Sequence, residues 1–151
     1  MKAVVQRVSN AQVSVNNSII GSIDKGLLVF LGIMEADTKK QADFLAKKIC
    51  ELRIFTDDND KMNLSLKDID GQILIISNFT LGADCKHGRR PYFVDSADPV
   101  IAKELYEYFI KCVIDEKINK VDTGEFGASM QVNLLNDGPV TIILDTKEMG
   151  K

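Results

Sequence analysis

The chain predicts an α+β fold, β-rich and built mainly of antiparallel sheet with two main helices, and three observations carry that reading. Apolar residues arrive mostly in short alternating or continuous runs suited to strands. Only two stretches show helical spacing behind a capping signal. The length of 151 residues fits one domain with one core, spanning 1–151.

Residues 3 to 8 and 11 to 15 alternate apolar and polar side chains, which predicts two short strands around a turn at Ser9-Asn10. Ile19-Ile20-Gly21 continues the meander. The apolar run over 26 to 33 suits a buried, central strand. Thr38 then opens a helix: its hydroxyl can cap, Gln41 completes a capping box, and Phe44, Leu45, Ile49 and Leu52 recur at helical spacing. Arg53-Ile54-Phe55 reads as a short strand. The acidic cluster over 56 to 61 fails as a calcium loop, because a loop begun at Asp58 has Asn63 where Gly is needed and Ile69 where Glu is needed. Asp70-Gly71 turns the chain into a buried strand through Ile73, Leu74, Ile75 and Ile76. Residues 82 to 98 lack periodicity and are long for a passive connector. Asp98-Pro99 is a cap followed by proline in the first helical turn, and an apolar stripe from Ile101 runs towards Ile118. Residues 126 to 135 alternate and are expected to form a hairpin with 140 to 144 across 136 to 139.

Composition excludes several classes. A net charge of −3 argues against coating nucleic acid by bulk electrostatics, so any RNA contact is local, and Lys86, Arg89 and Arg90 are the candidate. The longest apolar run, 27 to 31, is too short to span a bilayer. The amino terminus alternates and carries Arg7 where a signal peptide needs continuous apolar residues, which points to the cytosol. Three cysteines without paired spacing fit reduced thiols. There is no phosphate loop and no ligand spacing for zinc.

Two segments set small polar residues against a strand. Ser77-Asn78-Phe79-Thr80-Leu81 ends one buried run, where a rigid strand gives way to a loop. Asn136-Asp137-Gly138-Pro139-Val140-Thr141 begins another. The second is ordinary turn chemistry or, if the Gly138-Pro139 bond is cis, a rigid piece of main chain with two carbonyls aimed together. His87 is the only histidine and has no carboxylate placed beside it by sequence, which leaves it a loop residue. Thr80 could attack an ester, but a threonine hydroxyl without a neighbouring base is a weak nucleophile.

The segment Ser77 to Leu81, Lys86-His87-Gly88-Arg89-Arg90-Pro91, Phe126-Gly127-Ala128, Met130-Gln131-Val132 and the segment Asn136 to Thr141 together resemble the D-aminoacyl-tRNA deacylase family, as does the start Met1-Lys2-Ala3-Val4-Val5-Gln6-Arg7-Val8. The resemblance covers essentially the whole chain. It implies a barrel-like deacylase fold, no cofactor, and a homodimer that hydrolyses the ester of D-aminoacyl-tRNA to free tRNA and D-amino acid, with glycyl-tRNA as a further candidate substrate. Ser77, Thr80 and the amide near Phe79 would bind the ester or its oxyanion. Asn78, Met130, Lys86, Arg89 and Arg90 would contact substrate. Gly138 and Pro139, a Gly-cis-Pro pair inserted from the partner subunit, would exclude L-amino acids. The family usually carries Gln where this chain has Asn78. A non-catalytic nucleic-acid-binding module on the same fold is the alternative.

Overall fold

In the computed structural model, which describes residues 1–151, the long strand β1 (Lys2–Val15) is the element around which the sheet assembles. Its first part pairs antiparallel with β3 (Gly26–Gly32) and its second with β2 (Ser18–Ile23). The expected turn at Ser9-Asn10 is therefore absent, and β1 changes partner there without reversing. The reversal falls instead at Asn16 and Asn17, whose φ of 49° and 63° suit the tight hairpin that asparagine tolerates.

The run over 26 to 33 is central, as its continuous apolarity predicts: β3 also pairs in parallel with β6 (Gln72–Ser77), and β6 with β7 (Lys120–Thr123). Parallel neighbours need crossovers. These contain α1 (Lys39–Cys50) and α2 (Pro99–Asp115), which begin at the expected signals. Thr38 accepts from the Lys40 amide at 3.3 Å while its own amide donates to Gln41 Oε1 at 2.9 Å, and Asp98 accepts from the Val100 amide at 2.9 Å. A small antiparallel pair, β4 (Phe55–Thr56) and β5 (Met62–Leu64), lies outside the main sheet.

The last strand, β8 (Gln131–Asp145), is one element, not the expected hairpin. Both of its halves pair with β1: 141 to 145 lie against residues 6 to 2, and 131 to 136 against 14 to 8. A strand as long as β1 offers both halves a partner, so neither needs the other. Between them residues 137 to 140 bulge out opposite Arg7.

Two cores result. The larger, of 24 buried residues, packs α1 and α2 against the sheet; the smaller, including Val8, Val13, Leu28, Leu74 and Ile76, fills the concave face. The sheet curls until β2 and β7 nearly meet, where the Ser22 amide donates to Asp122 Oδ2 at 2.8 Å and Lys120 Nζ donates to the Ser22 carbonyl. Glycine is required at position 21 for this closure, since a Cβ there would lie 2.8 Å from the Thr123 carbonyl oxygen. The architecture is thus a mixed, barrel-like sheet with two helices, and β5 and β7 are the strands the sequence pattern did not announce.

Candidate active site

A cleft of about 320 Å³ opens where the parallel strands β3 and β6 end, the position at which sheets of this kind leave room for a ligand. Leu31 of β3 and Ile33 just beyond it floor the cleft, and Ser77, the last residue of β6, and Asn78 after it form one edge. Pro99 and Ala102 of α2 form one wall, and Phe126, Gly127, Ala128 and Met130 another. The wall is braced from beneath, because the Tyr106 hydroxyl donates to the Ile75 carbonyl at 2.8 Å while its ring packs 5.7 Å from that of Phe126.

After Ser77 the chain makes one 3₁₀ turn, Phe79–Gly82, capped by Asn78. Asn78 Oδ1 accepts from the Thr80 amide at 3.1 Å and from the Thr80 hydroxyl. The Ser96 hydroxyl donates to the Phe79 carbonyl at 3.0 Å, and Phe93 meets the Phe79 ring edge-on at 5.1 Å. The long connector is thereby tied to the turn at its carboxyl end. As the first residue of the turn, Phe79 has no partner for its amide within it, and no loop or cap carbonyl engages that amide.

No residue lining the cleft is titratable. Shifted groups lie elsewhere, on the two helices and in the segment 57 to 68. Burial pushes the Cys50 thiol up to about 12. Cys112 rises to about 11 through burial and its bond to Asp43, and the same carboxylate holds the Tyr108 hydroxyl at about 12. None is an activated nucleophile. The cleft can place and polarise a substrate, but it contains no general base of its own.

Of the residues singled out from sequence, Ser77, Asn78, Phe79 and Met130 line this cleft and Thr80 adjoins it. Lys86, Arg89 and Arg90 do not; they stand exposed on the connector, and none forms an ion pair. Gly138 and Pro139 are also apart from it. The Gly138–Pro139 peptide is cis and forms the exposed tip of the β8 bulge. Arg7 opposite pairs with Leu27, Leu27 with Ile73, and Ser77 comes four residues later on β6. Four residues along a strand and three strand spacings across put the bulge roughly 20 Å from Ser77 of the same protomer.

The bulge has a support that sequence reasoning missed. Arg7 is 8% exposed, and its guanidinium donates to the Ile54 carbonyl at 2.7 Å and the Asp137 carbonyl at 2.9 Å, with the Asp137 carboxylate at 3.3 Å. Asn136 closes the loop from within: its amide nitrogen donates to the Arg7 and Val140 carbonyls, and its oxygen accepts from the Val140 amide at 3.2 Å. The signal was present, since Arg7 shares parity with buried Ala3 and Val5, and a cation on a buried face demands partners.

Comparison with known proteins bears on this arrangement. Residues 4–145 match the family described as D-Tyr-tRNA(Tyr) deacylase. A D-aminoacyl-tRNA deacylase of Thermosipho melanesiensis is 59% identical over 149 residues, covering 99% of each chain. One of Clostridioides difficile is 53% identical, covering 98% of this chain and 99% of its own. Among solved structures, a c-Myc DNA Unwinding Element Binding Protein superposes with a TM-score of 0.90 at 38% identity, covering 96% of this chain and 98% of its own. A probable eukaryotic D-amino acid tRNA deacylase shares the fold at a TM-score of 0.80 and 19% identity, covering 95% and 97%.

Proposed function

Because the chain belongs to the D-Tyr-tRNA(Tyr) deacylase family, we propose that it hydrolyses the ester linking a D-amino acid to the 3′ end of tRNA, releasing free tRNA and the D-amino acid. The observation that carries the mechanism is a cleft without a titratable side chain. An aminoacyl ester is already activated and has a ribose 2′-hydroxyl beside it. Water, assisted by that hydroxyl, adds to the carbonyl carbon; the bond to the ribose 3′ oxygen breaks, and that oxygen takes up the proton. The protein's share is placement, which can be worth several kcal/mol, about 7 or more in well-oriented reactions. The free Phe79 amide faces the developing oxyanion, with Ser77 beside it. Thr80 orients the turn. Asn78 and Met130 bound the aminoacyl end, and Lys86, Arg89 and Arg90 meet the phosphates on the exposed connector. No cofactor takes part.

Rejection of L substrates falls to Gly138 and Pro139 acting across a homodimer. Two observations support this. The bulge is too distant to reach the cleft of its own protomer. In addition, the outer edge of β8 has no strand partner within the chain, while Leu135 and Ile143 on it are 58% and 75% exposed, and long apolar edges of this kind are covered in stable proteins. Main chain at the tip would exclude any L side chain by its position, independent of the side chain's identity. A cytosolic location accords with a tRNA substrate, and no helix is long and apolar enough to cross a membrane.

The likeness to a DNA-unwinding-element binding protein favours one other reading, a binder of nucleic acid without turnover. Deacylation of matched D- and L-tyrosyl-tRNA separates them. The deacylase reading expects the D ester to be cleaved at least about a hundredfold faster, a difference of about 2.7 kcal/mol in barrier. Equal rates, or tRNA binding with no cleavage of the D ester, would overturn it.

A further inference from the structure

The turn after β6 presents a small set of polar groups, and those that hold its shape are already engaged. Asn78 Oδ1 takes both the amide and the hydroxyl hydrogens of Thr80. Ser96 occupies the Phe79 carbonyl. The Asn78 backbone N–H donates to the Leu31 carbonyl at 2.8 Å, which fastens the cap to β3. The Phe79 amide is left over at the mouth of the turn, together with the Ser77 hydroxyl and the Asn78 side-chain nitrogen, all on residues lining the cleft.

We infer that Asn78 is a positioning residue: by capping the turn through Thr80 it fixes the direction in which the free Phe79 amide points at the substrate carbonyl. This rests on the deacylase reading above. Its physical basis is side-chain length. An asparagine oxygen reaches the amide two residues on, which is why Asn, Asp and Ser lead at such caps; an extra methylene carries the amide group past that position and adds a rotor to immobilise. The hydroxyl bond runs the same way: Thr80 gives its hydrogen to a neutral amide oxygen, so it braces the cap and is not primed for attack. In this chain Asn78 is thus suited to its place as a cap, and a glutamine there is not an equivalent.

Replacement of residue 78 tests this by kinetics and by exchange. Asn78→Ala should lower kcat for D-tyrosyl-tRNA about tenfold with KM changed less than about twofold, since a misdirected amide fails chiefly in the transition state. Asn78→Ser, a shorter residue that still caps, should recover most of the loss, and Asn78→Gln should not. Hydrogen exchange at the Thr80 amide should quicken in the Ala and Gln variants and stay slow in the Ser variant. A Gln variant with native kcat and native protection would overturn the inference, as would a set of variants that raise KM and leave kcat alone, because residue 78 would then serve only to hold substrate and not to direct the amide. Should the unmodified protein cleave no D ester, the deacylase reading falls by itself, and the exchange pattern still decides whether Asn78 is the cap.

Discussion

The strand-end turn over 77 to 80 and the bulge over 136 to 140 are both short polar segments that interrupt apolar strands, yet they are held by opposite means. The turn is secured mainly by near neighbours, with Asn78 bonded to Thr80 two residues on and only Ser96 and Phe93 reaching in from the connector. The bulge is closed from within by Asn136, but its anchor to the rest of the molecule is a buried guanidinium more than a hundred residues away in sequence. A locally braced segment loses one weak bond at a time. A segment anchored on one buried cation loses more in one step, because removing the cation strands two carbonyls and a carboxylate at once. The two should therefore answer differently to substitution.

The largest effect should come from Arg7→Ala. It leaves the Ile54 and Asp137 carbonyls without their donor in a buried setting, at a cost of about 2–4 kcal/mol. For a chain of this size that is a fall in Tm on the order of 10 °C, read by thermal unfolding. Arg7→Lys sharpens the comparison, since a single ammonium cannot span both carbonyls as a planar fork does, and it should recover only part of the loss. If Arg7→Ala moves Tm by no more than a degree or two, the bulge is braced locally after all and the contrast between the two segments dissolves.

Gly138→Ala should come next. At φ of 154° a Cβ would lie 2.4 Å from the Val140 amide nitrogen, so the backbone of the bulge must move, at about 1–3 kcal/mol. Because the bulge lies so far from the cleft of its own protomer, a change in selectivity can only be exerted on a neighbour. Preference for D- over L-tyrosyl-tRNA should fall at least about tenfold, or about 1.4 kcal/mol of discrimination. Retained selectivity with a lowered Tm would confine residues 138 and 139 to a structural role.

The same contrast explains what could be read in the sequence. The capping box at Thr38, the proline-led start of α2 and the buried runs of β3 and β6 are local patterns, and the structure has them where they were expected. Strand partners are not local. Residues 3 to 15 and 131 to 145 each look like two strands about a turn until the other is present, because only a long neighbour makes pairing without reversal possible. β7 escaped notice because Lys120, Val121, Asp122 and Thr123 are exposed or half-buried, with too little apolar contrast to register. In the site, Ser77 to Thr80 were visible as polar residues at a strand end. The walls from Leu31, Pro99 and Ala102 were not, since each reads as packing or capping until the fold assembles them around one space.

The smallest effects should fall on side chains that look most like catalysts. Thr80→Ala removes one hydroxyl bond and leaves the Asn78 cap on the residue 80 amide, so kcat should drop several-fold and by less than about tenfold, in line with the roughly 1 kcal/mol of a single neutral hydrogen bond. His87 lies exposed on the connector and outside the cleft, so His87→Ala should leave both kcat and the shape of its pH profile unchanged. A loss of a thousandfold or more in Thr80→Ala would mean the hydroxyl forms a covalent intermediate, and burst-phase kinetics should then reveal an acyl-enzyme. A flattened pH profile in His87→Ala would mean a protein base reaches the ester, and a cleft that works by placement alone would no longer account for the rate.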